Sequence, residues 1–267
     1  MSTSATDVDT EVLVQRTDSD GIATLTLNRP RQYNALSAAM LAALQSALDE
    51  LAQDETIRVV VLAAAGKAFC AGHDLKEMRA NPEREYQQNL FRRCGDVMLA
   101  MLRLPQPVIG RIHGTATAAG CQLAATCDLA VASSAARFAT SGINVGLFCS
   151  TPAVALTRNV ARKQAMEMLM TGTFIDADTA LQRGLVNRVV APEALDGAVQ
   201  DLADSIRAKS AAAVAIGKDM FYRQLEMGVS DAYDYTAEVM TCNMMTHDAA
   251  EGIDAFMQKR KPEWRHE

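Results

Sequence analysis

No stretch of this 267-residue chain approaches the roughly 20 consecutive apolar residues a membrane-spanning helix needs, so no membrane partner is expected. Positive charge is not in excess. The 26 Lys and Arg stand against 32 Asp and Glu, a formal net charge of −6, which argues against nucleic acid as a bulk partner. The six cysteines (Cys70, Cys94, Cys121, Cys127, Cys149 and Cys242) show no CxxC spacing and sit mostly among apolar neighbours. They read as small, reduced core residues. The four histidines, His73, His113, His247 and His266, form no metal-like cluster with them, and no metal is expected. The first ten residues have no basic segment, apolar segment or Arg-rich amphipathic pattern, so no export or import is signalled and a cytoplasmic localisation is expected. Neither a fixed-period repeat nor a linker-like shift in composition divides the chain.

What is present suits a globular α/β protein. Apolar residues make up 49% of a chain long enough for a sizeable core. Residues 1–9 are polar and acidic and are expected to be disordered. Alternation around Asp18-Ser19-Asp20-Gly21 predicts a hairpin from Glu11 to Asn28. Ser37 is placed to cap a helix reaching about Gln53, with Met40, Leu41, Leu44, Leu48 and Leu51 on one face. Ile57 to Ala63 is a buried strand, residues 84–104 a long amphipathic helix, and Pro107 to Ile112 a second buried strand. Short strands follow at 128–132, 137–140 and 185–190, with helices near 152–159, 162–171 and 176–183. Beyond Pro192 the pattern is helical throughout, over 192–209, 210–227, 230–243 and 246–258.

The chain is organised around His113-Gly114-Thr115-Ala116-Thr117-Ala118-Ala119-Gly120-Cys121-Gln122-Leu123. It reads as the end of a strand, a turn of small residues and a helix N-terminus. Such a terminus presents unpaired N–H groups and the positive end of the helix dipole, which favour an anion or a developing oxyanion. Tight helix–sheet packing without a ligand would use the same pattern.

Three stretches together carry a family resemblance. Ala68-Phe69-Cys70-Ala71-Gly72-His73-Asp74-Leu75-Lys76-Glu77-Met78 resembles the first oxyanion-hole loop of the crotonase (enoyl-CoA hydratase/isomerase) superfamily. The central stretch, with Cys127-Asp128, resembles the second. Asn28-Arg29-Pro30-Arg31-Gln32-Tyr33-Asn34-Ala35-Leu36 is similar to the family's CoA-cradling loop. The segment Gly142-Ile143-Asn144-Val145-Gly146-Leu147-Phe148-Cys149-Ser150-Thr151-Pro152 is most similar to the enoyl-CoA hydratase domain-containing branch. The resemblance implies a crotonase-like spiral of β-β-α turns over 10–190 and a C-terminal helical region over 191–267 for oligomerisation and CoA contact. It further implies a homotrimer or dimer of trimers, and an acyl-CoA thioester substrate of fatty-acid or related metabolism. CoA would be part of the substrate, with no separate cofactor.

Carried over residue by residue, the oxyanion donors are the backbone N–H groups of His73 and Ala119, where the family usually has Gly at the second position. The His73 imidazole has a second possible role toward substrate or a proton, against the alternative that it merely packs. The family's two catalytic glutamates fall at Gln122 and Gly142. An amide is no general base and glycine has no side chain, so true hydration is in doubt. Gln122 is left to orient a water or a substrate carbonyl, or to bond local backbone. Asp74 reads as a helix cap beside the substrate, and Glu77 as a weak substitute base. Arg31, Tyr33, Ala35, Lys76, Phe256 and Lys259 carry over as CoA contacts. Ala71, Leu75, Thr115, Ala118 and Asn144 carry over as pocket residues. Three functions stay open: an enoyl-CoA hydratase/isomerase-type enzyme, an acyl-CoA decarboxylase or thioesterase-like enzyme favoured by Gly72-His73-Asp74, and a non-catalytic acyl-CoA-binding protein.

Overall fold

The six consecutive residues of Val59–Ala64 are all buried, as expected of a β-branched run covered on both faces. Around this strand the computed structural model describes residues 12–267. The expected disorder of residues 1–9 and the first residue of the hairpin lie outside the described residues. The hairpin is β1 (Val14–Ser19) and β2 (Ile22–Leu27), paired antiparallel with Val14 opposite Leu27. A 3-10 turn at Pro30–Gln32 leads to helix α1 (Ala38–Leu51) and then to β3 (Val59–Ala64). Next come β4 (Ala68–Cys70), α2 (Leu75–Ala80) and α3 (Arg84–Arg103). The central turn is β5 (Val108–Ile112), β6 (Thr115–Thr117) and α4 (Ala119–Thr126). It is followed by β7 (Leu129–Ser133), β8 (Arg137–Ala139), a 3-10 turn at Ser141–Val145, α5 (Ser150–Asn159) and α6 (Arg162–Thr171). The chain continues through β9 (Ile175–Asp176), α7 (Ala177–Gln182) and β10 (Arg188–Val190). After a turn at Pro192–Ala194 it ends in α8 (Leu195–Arg207), α9 (Ala211–Gln224), α10 (Val229–Met244) and α11 (His247–Gln258).

The strands form two sheets, one ordered β1-β2-β3-β5-β7-β10 and one ordered β4-β6-β8-β9. Each of β3, β5 and β7 lies in the first sheet and is followed within a few residues by a strand of the second and then by helix. This repeated step is the β-β-α spiral. Pairing is parallel from β2 through β10 in the large sheet and from β4 through β8 in the small one. Successive residues of β3 face opposite ways. Val60 and Leu62 join the main core with Met40, Leu44, Val97 and Met101, whereas Val59 and Val61 pack with Leu195, Val199 and Leu202 of α8. Fully burying one such side chain stabilises the fold by about 1.5–3 kcal/mol.

The helical tail is tied to this core by one buried charge cluster. The Asp128 carboxylate, between α4 and β7, accepts hydrogen bonds from Val108 N (2.6 Å), Lys218 Nζ (2.7 Å) and the Tyr222 hydroxyl (2.7 Å). Lys218 also donates to the carbonyls of Met101 and Gln106, each at 2.9 Å. Farther out the tail leaves apolar side chains in solvent. Phe256 is 84% exposed, Met245 81% and Tyr233 72%.

Candidate active site

The α4 N-terminus and the loop after β4 are pressed together by glycine. Gly72 has φ +89°, and a Cβ built on it would stand 2.9 Å from Ala118 Cβ and 3.1 Å from Ala119 N. A side chain is excluded there twice over, by conformation and by contact. Ala118 itself has φ 51° and ψ −121° as it enters the helix. A non-glycine residue held there costs on the order of 1–3 kcal/mol, strain that tends to gather at functional sites. The strained residue of the pair is thus Ala118, and Ala119 already lies in the helix.

This approach sets Ala119 N beside Gly72, the residue before His73. Ala118 N donates to Ala139 O and Gln122 N to Ala118 O, but Ala119 N has no backbone partner outside its helix, where the first N–H groups have none. On the other side Leu36 N donates to Gly72 O and Asp74 N to Leu36 O, while His73 N makes no such bond. Two unpaired donors at a helix N-terminus suit an oxygen carrying negative charge.

Carboxylates hold the His73 loop without facing these donors. Asp74 Oδ1 caps α2 by accepting from Lys76 N (3.0 Å) and Glu77 N (3.2 Å), and Oδ2 accepts from Arg29 Nη1 (2.7 Å). Burial works to raise the Asp74 carboxyl, but these bonds outweigh it and hold it below the usual carboxylate range. Glu77, weighed above as a substitute base, is engaged elsewhere. It accepts from Ala38 N at the start of α1 (3.1 Å) and from the Tyr86 hydroxyl (2.8 Å). The Arg29–Asp74 and Glu77–Ala38 contacts join residues 45 and 39 positions apart, and no local pattern announces them.

The His73 ring lies 3.3 Å from Leu36 O through Nδ1 and meets Phe91 of α3 edge-on, with centroids 5.4 Å apart. Burial pushes its imidazole below the ordinary histidine value, opposed by the Leu36 carbonyl and the Glu77 charge. Its Nε2 is shielded and has no partner. Gln122 is 4% exposed, and its side-chain Oε1 is likewise unpartnered. Thr140, fully buried between two residues bonded to the α4 entrance, leaves Oγ1 unpaired.

At the other glutamate position, a Cβ on Gly142 would fall 2.6 Å from Leu147 O and 2.8 Å from Cys149 Sγ. The loop therefore has no room for a side chain at 142. Cys149 packs at this point. Asn144 is turned toward Gly172 O, at 3.5 Å.

The remaining expected residues divide into placed and exposed. Ala35 is buried, Ala71 N donates to Tyr33 O (3.0 Å), and Thr115 lies in β6. Asn34, buried and with φ 55°, fixes the 29–35 loop by donating to Ala65 O and Ala68 O. Tyr33 beside it has φ 52° and is exposed, as is Leu75. Arg31, Lys76 and Lys259 are exposed cations with no ion-pair partner among the described residues. No group of three potential metal ligands occurs among the described residues.

A model of the enoyl-CoA hydratase/isomerase family matches residues 17–267. The chain is 46% identical over 254 residues to enoyl-CoA hydratase domain-containing protein 3, mitochondrial, of Rattus norvegicus, covering 95% of this chain and 85% of that protein. A crystal structure of an enoyl-CoA hydratase of Mycobacterium smegmatis aligns with TM-score 0.93 and 63% identity over 94% of this chain and 98% of that one. The crystal structure of human enoyl-CoA hydratase domain-containing protein 3 aligns with TM-score 0.92 and 45% identity over 94% of this chain and all of that one. These comparisons overturn the expected cytoplasmic localisation. The relatives from rat, mouse, Xenopus laevis and human are all named mitochondrial. The cysteine pattern reads as that of a cytosolic chain, but five buried free thiols and one exposed one fit either compartment.

Proposed function

Because the chain belongs to the enoyl-CoA hydratase/isomerase family, we propose that it binds an acyl-CoA thioester with its carbonyl oxygen between the N–H groups of His73 and Ala119, and stabilises the enolate formed there. The observation that carries this reading is that pair of unpaired donors, held together by the Gly72–Ala118 contact at the α4 N-terminus. One such donor is typically worth about 3–4 kcal/mol of barrier. The free cations Arg31, Lys76 and Lys259 suit the phosphates of CoA. A trimer-based assembly accounts for the apolar tail surface around Phe256, Met245 and Tyr233.

The reaction is not ordinary hydration at ordinary speed. Gln122 cannot take a proton from water, and Gly142 brings no second group. Positioning and the two donors remain. Calorimetric titration with a panel of acyl-CoA esters, run beside a crotonyl-CoA hydration assay, tests the proposal. Binding with turnover well below the order of 10 s⁻¹ typical of enzymes is expected. Absence of binding overturns it, and full-rate hydration overturns the restriction on the reaction. The same two donors serve a decarboxylase or a thioesterase-like enzyme. Binding without turnover of any ester in the panel identifies a non-catalytic acyl-CoA-binding protein.

A further inference from the structure

We propose that the imidazole Nε2 of His73 is the proton acceptor of this site, taking a proton from the carbon beside the thioester carbonyl whose oxygen the same residue's backbone N–H holds; the assignment rests on the acyl-CoA reading above. Every other polar atom of His73's side chain is committed. Leu36 O is a carbonyl and can only accept, so the Nδ1 that faces it at 3.3 Å carries the ring hydrogen. Nε2 is then a bare lone pair. The edge-on contact with Phe91 fixes the ring plane.

Among the described residues, eight shielded side-chain atoms lack a hydrogen-bond partner, and three of them, His73 Nε2, Gln122 Oε1 and Thr140 Oγ1, belong to the elements that meet at the α4 entrance. Such atoms in a folded protein call for an explanation. Helical side chains lean toward the helix N-terminus, so Gln122, in the first turn of α4, covers Ala118 and Ala119. A buried side chain whose Oε1 has no partner thus leans over the same helix start. A thioester oxygen on His73 N–H brings the adjacent carbon within one side chain's reach of that residue's own ring.

The ring is neutral in the neutral range, because burial pushes the imidazole below its ordinary value. The charged and titratable groups around it are Glu77 of α2, which Tyr86 of α3 contacts, and Asp74, paired with Arg29. Each of the two carboxylates is occupied by backbone N–H groups. In the step, the carbon–hydrogen bond breaks, its proton passes to Nε2, and its electron pair is delocalised onto the thioester oxygen at His73 N–H and Ala119 N–H. The imidazolium then exchanges its proton with water and returns one to the same carbon. In a β,γ-unsaturated chain it can return the proton to the γ-carbon instead, moving the double bond.

The test uses but-3-enoyl-CoA in deuterated water with the intact protein, following deuterium entry beside the carbonyl by NMR. The exchange rate is expected to rise with pH along a single limb and to level off below the ordinary histidine value of about 6.5. His73→Asn keeps the backbone N–H and a side-chain N–H for Leu36 O but has no Nε2. It is expected to lose about 10²- to 10⁴-fold in exchange rate while CoA-ester affinity is held. A variant that keeps the wild-type rate and limb overturns the assignment. If the variant does not fold, the wild-type profile decides, and the absence of a rising limb at any pH where the protein stays folded overturns it. Binding without any exchange removes the His73 role and leaves acyl-CoA binding standing. Absence of binding removes the underlying reading itself.

Discussion

Gly120 and Cys70 are so close that a Cβ on the glycine would stand 2.0 Å from the Cys70 carbonyl oxygen. Here the first turn of α4 rests directly on β4, which fixes the distance between the two donor loops. Gly120→Ala is therefore expected to push α4 away from β4, lower the unfolding free energy by about 1–3 kcal/mol or more, and weaken acyl-CoA turnover further than stability alone requires. Denaturant unfolding combined with a turnover assay on the folded fraction checks this. An unchanged melting midpoint with unchanged turnover contradicts it.

The Asp74 cap carries a pH signature. Its carboxyl is held below the usual range in the folded chain, so its contribution is fully present above the unfolded value of about 3.9 and fades as pH falls through the lower folded value. Asp74→Asn is expected to cost on the order of 1 kcal/mol near neutrality. The gap to wild type should close as unfolding is measured from about pH 5 downward. A gap that is constant with pH contradicts the ionised cap.

The two glutamate positions are not equivalent. Gln122 is a full-sized side chain over the donors, so Gln122→Glu is expected to raise crotonyl-CoA hydration, by up to about 10²- to 10⁴-fold if the new carboxylate reaches a water. Gly142→Glu is expected to disturb the 141–149 segment, since even its Cβ meets Leu147 O and Cys149 Sγ. Lowered thermal stability and no gain in rate are the expected readings for that variant. A rate gain from Gly142→Glu alone contradicts the geometry.

Lys259 closes α11 with φ 55° and has no ion-pair partner among the described residues. Lys259→Ala is expected to weaken CoA-ester binding at low salt, where phosphate attraction is least screened, and to leave the unfolding midpoint nearly unchanged. Equal affinities at low salt contradict a phosphate role.

A trimer-based assembly is expected in sedimentation at micromolar concentration, driven by the exposed apolar tail. A monomer there contradicts it.

The long elements were legible in the sequence because their periodicity is. The β1–β2 hairpin, α1 behind Ser37, β3, α3 and the tail helices α9 to α11 lie within a few residues of where alternation or helical spacing puts them. The short strands of the second sheet were not all legible. Residues 68–70 and 115–117 read as loop and turn, since three residues carry no period and gain strand form only by pairing with each other and with β8. The start of α4 at Ala119 carries no period of its own, because Gly120 is a poor helix former and the turn is set by its contact with β4. At the site, Asp74 as a cap followed from its position before Leu75. The engagement of Glu77 with α1 did not, because its partner is 39 positions away.

The Lys218 cluster has a consequence for how the chain can be cut. Lys218 supplies the countercharge for Asp128, satisfies two carbonyls of the 101–106 turn, and stands on α9. A chain ending after α8 would strand that carboxylate beneath the large sheet with only Val108 N to hold it. Removing one partner of a buried pair costs about 3–5 kcal/mol, a large part of the 5–15 kcal/mol that holds a typical domain folded. The spiral and its helical tail are in this sense one thermodynamic unit, inseparable by truncation.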